Sequence, residues 1–420
     1  MKNRPRKLSI GLVFILYFLL LPGQVFAQSF SGPTSEQFLE EVIDRNEDEF
    51  ATFGWPAKGH FPKLSTYAQA YVDYNRNLWN DYGLAYGITP TIMLQQSTRS
   101  GSNNFTANEQ VNSLLVWRPL NKSRYGTGLL LFNILHVGQL TNTTGLDMSL
   151  DLGVNYFVSD SIANVDIIKS LLWQHELPGE SVTLKLGHGG VSEVVNGCRY
   201  ACDDTASFLS SPLSSFPAST MPGQGAMFSA SVKVMENAAV EVAAGDAQGN
   251  GKLNFERVFN SGELVYTGAI KFDNPFAETG DGQYRFGFYH VDATEQGTAS
   301  EQAETRGYSI NVDQDFGDLG LFAKYARNAG RSGRIKQTAA AGGVWTIPFG
   351  YAEDWLGLGV AWVEPTASGS RDEYVAETYY RLQLTPFFDL TPAAMLVMNP
   401  SNKINDDIEV VFTLRLGAKF

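Results

Sequence analysis

The chain is short of cysteine: two in 420 residues. A disulfide-stapled scaffold is therefore excluded, and the core must come from packing. Positive charge is scarce as well, with 31 Lys and Arg against 44 Asp and Glu. A net charge of −13 argues against a nucleic-acid partner. Long apolar runs are missing after the first 27 positions, which excludes a bundle of membrane-spanning helices. Catalytic signatures are missing too. There is no Gly-x-Ser-x-Gly and no His-Glu-x-x-His, and the histidines are His60, His136, His175, His188 and His290. No enzyme activity, metal or cofactor is expected.

What is present begins with a leader. Lys2, Arg4, Arg6 and Lys7 precede an apolar run, Leu8 to Leu21. Val25-Phe-Ala27 supplies small residues for cleavage, so residues 1–27 read as a secretory signal peptide. Export places Cys198 and Cys202 in an oxidising compartment, where two close cysteines favour a disulfide over a metal site. Residues 28–65 form an N-terminal segment. Within it Thr34 to Asp44 predicts a short helix, with Thr34 and Gln37 as a capping box and Phe38, Leu39, Val42 and Ile43 as its apolar stripe.

From residue 66 to 420 the dominant pattern has period two. The closing segment is the clearest case. Ile408, Val410, Phe412, Leu414, Leu416, Ala418 and Phe420 alternate with Glu409, Thr413, Arg415, Gly417 and Lys419; Val411 alone breaks the rule. Such alternation sets one face in an apolar medium and the other in water. A chain ending on an aromatic strand of this kind resembles proteins of the bacterial outer membrane. Similar runs are read at 66–74, 129–136, 146–157, 182–187, 228–234, 283–288, 308–313, 319–325 and 380–385. Counting candidates predicts an all-β fold: a transmembrane antiparallel β-barrel of about 16 strands with a short N-terminal helix. The aromatic content, 27 Phe, 18 Tyr and 7 Trp, suits interface girdles, and Trp117, Trp345, Trp355 and Trp362 are assigned to them. Asn311 to Asp318 reads as an acidic loop cluster. One long irregular stretch, 190–224, holds both cysteines and is a candidate for a loop that folds inward and narrows a channel.

Three patches carry a family resemblance. Glu377-Thr-Tyr-Tyr-Arg-Leu-Gln-Leu-Thr-Pro386 runs through Leu390-Thr-Pro392 and Met398-Asn-Pro400 to the last strand. Leu171-Leu-Trp-Gln-His-Glu176 is followed by Val182-Thr-Leu-Lys-Leu-Gly187. Phe208-Leu-Ser-Ser-Pro-Leu213 leads into Pro222-Gly-Gln-Gly225. Together they resemble the OprB-type carbohydrate-selective porins. The sequence departs from that pattern at Leu186-Gly-His-Gly-Gly190, at the cysteines and at the N-terminal helix. The resemblance implies passive diffusion of small sugars through a monomer or homotrimer seated in outer-membrane lipid.

A sugar channel needs hydrogen-bonding and aromatic groups at its narrowest point. The candidates on predicted lumen faces are Arg118, Trp173, Glu176, Lys185, Glu377 and Arg381.

Overall fold

The structure is a computed structural model. It describes residues 60, 65–99, 103–159, 164–202, 204–276, 280–294, 303–330, 333–346, 348, 354–385, 387–403 and 408–420, with backbone only for 65–73. The signal peptide and the helix expected at Thr34 to Asp44 lie outside the described residues.

Sixteen antiparallel strands close into a barrel. In order they are β1 (Leu84–Ser97), β2 (Phe105–Ser123), β3 (Gly126–Gln139), β4 (Val165–Glu176), β5 (Val182–Gly189), β6 (Gly225–Met235), β7 (Ala238–Asp246) and β8 (Leu264–Asp273). They continue as β9 (Gly282–Val291), β10 (Thr305–Phe316), β11 (Leu319–Asn328), β12 (Ile335–Thr346), β13 (Trp355–Pro365), β14 (Glu373–Gln383), β15 (Phe388–Met398) and β16 (Ile408–Ala418). Each strand pairs with its neighbours in sequence, and β1 pairs with β16 from Thr91↔Gly417 to Ser97↔Val411. The terminal Phe420 adds a reciprocal backbone pair with Ile88, both N···O distances being 2.9 Å.

Alternation explains the closure. On β16, Phe412, Leu414 and Leu416 are exposed on the outer wall, while Thr413 and Arg415 are buried on the inner one. Val411, the residue that broke the alternation, points inward and joins the interior apolar cluster. Leu186, Phe288 and Leu358, each more than 60% exposed, belong to the same outer band. In water such a surface is costly, whereas in hydrocarbon it is the solvated side. The turns β2–β3, β6–β7 and β10–β11 are short and share one end with Phe420. The connections β3–β4, β5–β6 and β7–β8 are long and share the other. Outer-membrane barrels keep short turns on the periplasmic side and long loops outside.

Two readings of period two fail. Residues 66–74, expected as a strand, lie in helix α1 (Ser65–Tyr82). The alternation stops at Tyr74, and Asn75 and Trp79, four apart, are the buried side chains of the following turns. Gly83 ends the helix at φ +63°, donating its N–H to the Trp79 carbonyl at 2.8 Å. Residues 146–157, also expected as a strand, begin with helix α2 (Gly145–Leu152). Here Thr144 and Asp147 form a reciprocal capping box, and Gly153 closes the helix at φ 77°. Met148 and Leu152 then face the interior one turn apart.

Candidate functional site

The 190–224 connection enters the barrel. It carries helices α3 (Glu193–Asn196) and α4 (Ser211–Ser214), and a disulfide joins Cys198 to Cys202 with Cα atoms 5.8 Å apart. Phe208, Leu209, Leu213 and Phe216 pack with Phe322, Val344, Val363 and Tyr379 of the inner wall. Phe208 sits edge-on to Tyr379 with ring centroids 5.0 Å apart. The loop also fits against glycines: a Cβ on Gly359 would lie 2.8 Å from Leu213, and one on Gly320 would meet the Tyr200 ring. The same two-residue period that fills the outer wall with leucine leaves room inside for the loop.

Charged wall residues hold its backbone. Arg415 donates to the carbonyls of Asp204 and Ser207, both at 2.5 Å. The Lys324 ammonium caps three carbonyls, those of Ala201 at 2.7 Å, Ser215 at 3.0 Å and Leu213. Glu377 accepts from the Leu209 N–H at 2.7 Å, the Ser210 N–H at 3.0 Å and the Ser210 hydroxyl at 2.8 Å. Arg285 donates to Val194 O and Glu241, each at 2.6 Å. Asp313 accepts from the Arg199 N–H at 3.1 Å, and Asp315 takes the Tyr200 hydroxyl. These two aspartates were expected in an acidic loop; they are inward residues of β10 that hold the 190–224 connection. Burial, reinforced by the bond to Asp315, pushes the Tyr200 phenol above its ordinary value and keeps it a donor. Charge-assisted bonds to backbone are the stronger class and suit a loop that must stay put inside a wet pore.

The loop packs chiefly against β9–β16, and open space remains along β4–β8. That cavity is lined by Gln174, Lys185, Glu193, Ser229, Glu241 and Lys271, among others. Lysines, carboxylates and small polar groups therefore face a passing solute. A further inward row lies on β2 and β3. The side-chain nitrogen and oxygen of Asn108, Asn112 and Asn133 are all buried without a hydrogen-bond partner. Such amides offer both donors and acceptors to a hydroxylated guest. Among the described residues no group of three or more His, Cys, Asp or Glu is arranged to hold a metal ion.

The six expected site residues are scattered. Lys185 lines the open cavity. Glu377 anchors the loop. Arg118 stacks over Trp79 of α1, 4.0 Å from its centroid, at the periplasmic end. Glu176 ends β4 at the same end. Arg381 bonds Gln383 at 3.2 Å and lies over the Trp355 ring at 5.2 Å. Trp173 is on the opposite wall from that expected. The β3–β4 register shifts between Asn133↔Ser170 and Ile134↔Ile168, leaving Lys169 as an extra residue. This bulge swaps faces, so Leu172 and Gln174 point inward and Trp173 lies outside against Gly128. Trp355, expected in the outer girdle, is instead the inward one that meets Arg381. The loop anchors Lys324, Arg415 and Arg285 were not anticipated. Their signal was a lone cation between apolar outward residues, as in Leu414-Arg415-Leu416.

The sequence model of the carbohydrate-selective porin, OprB family, matches residues 138–420. No curated protein matches. Among solved structures the chain is similar to the high-pH form of Pseudomonas putida OprB, with a TM-score of 0.69 at 15% identity over 82% of this chain and 96% of that one. The low-pH form of the same protein gives a TM-score of 0.52 at 14% identity, covering 82% and 95%.

Proposed function

The chain belongs to the OprB family of carbohydrate-selective porins, and from that premise we propose that it admits small neutral sugars to the periplasm by passive diffusion along the open half of its lumen. The observation that carries this reading is the anchored inward loop. It narrows the bore on one side and leaves a polar path on the other, lined by Lys185, Glu193, Glu241 and Lys271. A sugar loses hydration at the narrow level, and wall groups that both donate and accept replace it. The concentration gradient drives flux, and no step requires chemistry. The orphaned amides of Asn112 and Asn133 add uncharged partners for hydroxyls.

Liposome swelling tests the proposal. Refolded protein is compared with glucose, maltose, a neutral amino acid and a salt of similar size. Sugars should enter faster than size-matched solutes. Entry that follows size alone would favour a general or ion-selective porin of the same architecture. No swelling from folded protein would point to a barrel with an adhesive or enzymatic role.

A further inference from the structure

The outer wall is uneven at the end where the long loops emerge. On β2–β4 it is acidic: His136 sits 2.6 Å from Asp166 and 4.0 Å from Glu109. On β10–β12 it is basic. Arg306, Arg327 and Lys336 are exposed there. Arg327 lies directly across from Tyr308, and Arg306 is two residues further out, its carbonyl accepting the Ala329 N–H at 2.8 Å. Such diagonal neighbours lie about 7–8 Å apart, within reach of one phosphorylated headgroup.

The local carboxylates are largely engaged. Glu364 takes Lys336 at 2.6 Å and also Gln337. On β9, opposite Arg306, His290 has Asp292 at 3.2 Å and Glu304 at 4.0 Å. Arg306 and Arg327 form no ion pair among the described residues. In a chain of net charge −13, two unpaired outward arginines on adjacent strands are not average surface. The rings of Tyr308 and Tyr325, 5.9 Å apart, lie at the same level. Further toward the membrane centre, the same wall has an apolar groove lined by Leu319, Ala341, Gly343, Trp345, Leu358 and Val360. Ala339, facing Tyr325 across the β11–β12 ladder, joins groove to patch.

We infer that this face binds one phosphorylated lipid of the outer leaflet, its phosphate on Arg306 and Arg327 and an acyl chain along the groove. Guanidinium forks match phosphate oxygens bidentately. The groove faces hydrocarbon, where a chain packed against Ala341 and Gly343 replaces side chains that are missing there. Both halves of an amphipathic lipid are therefore met in the order the bilayer presents them.

Native mass spectrometry of the refolded, detergent-solubilised barrel tests this with bisphosphorylated lipid A and with the same lipid after phosphate removal. The wild-type chain should retain the phosphorylated form selectively. Each cation near a membrane surface strengthens anionic-lipid binding about fivefold, so R306Q/R327Q should weaken it about 25-fold. A341F, which fills the groove, should lower retention of both lipids. Heat-modifiable gel mobility confirms that each variant is folded. Equal retention of phosphorylated lipid by wild type and R306Q/R327Q overturns the inference. So does an assembly of several copies that A341F abolishes while lipid retention stays the same, since the face is then an interface between copies.

Discussion

At the scale of single residues, the inner wall divides into groups that hold the loop and groups that meet solute. Glu377 belongs to the first. Its three bonds all end on Leu209 and Ser210, and Gln at this place would lose the charge and turn an amide donor toward donors. We expect E377Q to weaken the anchor by about 2 kcal/mol. Single-channel recordings should then show higher and noisier ion conductance; an unchanged trace would mean that the other anchors suffice. W173A supplies the contrast. Its ring is on the lipid side, so sugar-driven swelling should match that of the wild type. The sequence marks Glu377 as inward through alternation with Thr378 and Ala376, and that reading holds. It misplaces Trp173 because one extra residue at Lys169 leaves the local pattern intact while reversing which wall it faces.

At the scale of elements, strands are legible where outward leucine, valine or phenylalanine alternates with inward polar groups, as on β9, β10 and β16. Helices α1 and α2 are not, because short stretches of them mimic that alternation. Their true markers were the terminal glycines, Gly83 and Gly153, and the capping pair Thr144 and Asp147. The inward course of 190–224 was foreshadowed by its length; its fastenings were not, since each joins residues far apart in sequence. Within this element the Cys198–Cys202 bond spans a sequence separation of only 4, so it restrains the loop locally, at most by about 2 kcal/mol. Replacing both cysteines by serine should leave heat-modifiable mobility of the barrel unchanged while chymotrypsin cuts faster within 190–224. Equal cutting rates would show that the wall anchors alone fix this segment.

At the scale of the whole molecule, the barrel depends on its last strand. Deleting Ile408–Phe420 exposes the edges of β1 and β15 and removes Arg415 from the loop. No folded, heat-modifiable band is expected from that truncation in gel assays. A folded band would mean that the remaining strands close on themselves, against the even strand count usual for these barrels. The eccentric placement of the loop has a further consequence for anyone redesigning the pore. The β9–β16 side of the inner wall is committed to mechanics, and changes there trade permeation against integrity. The β4–β8 side, where Lys185, Ser229, Glu241 and Lys271 stand clear of most loop contacts, is an editable surface. A library confined to those positions should retune which solutes pass without touching what keeps the channel shut on its other flank.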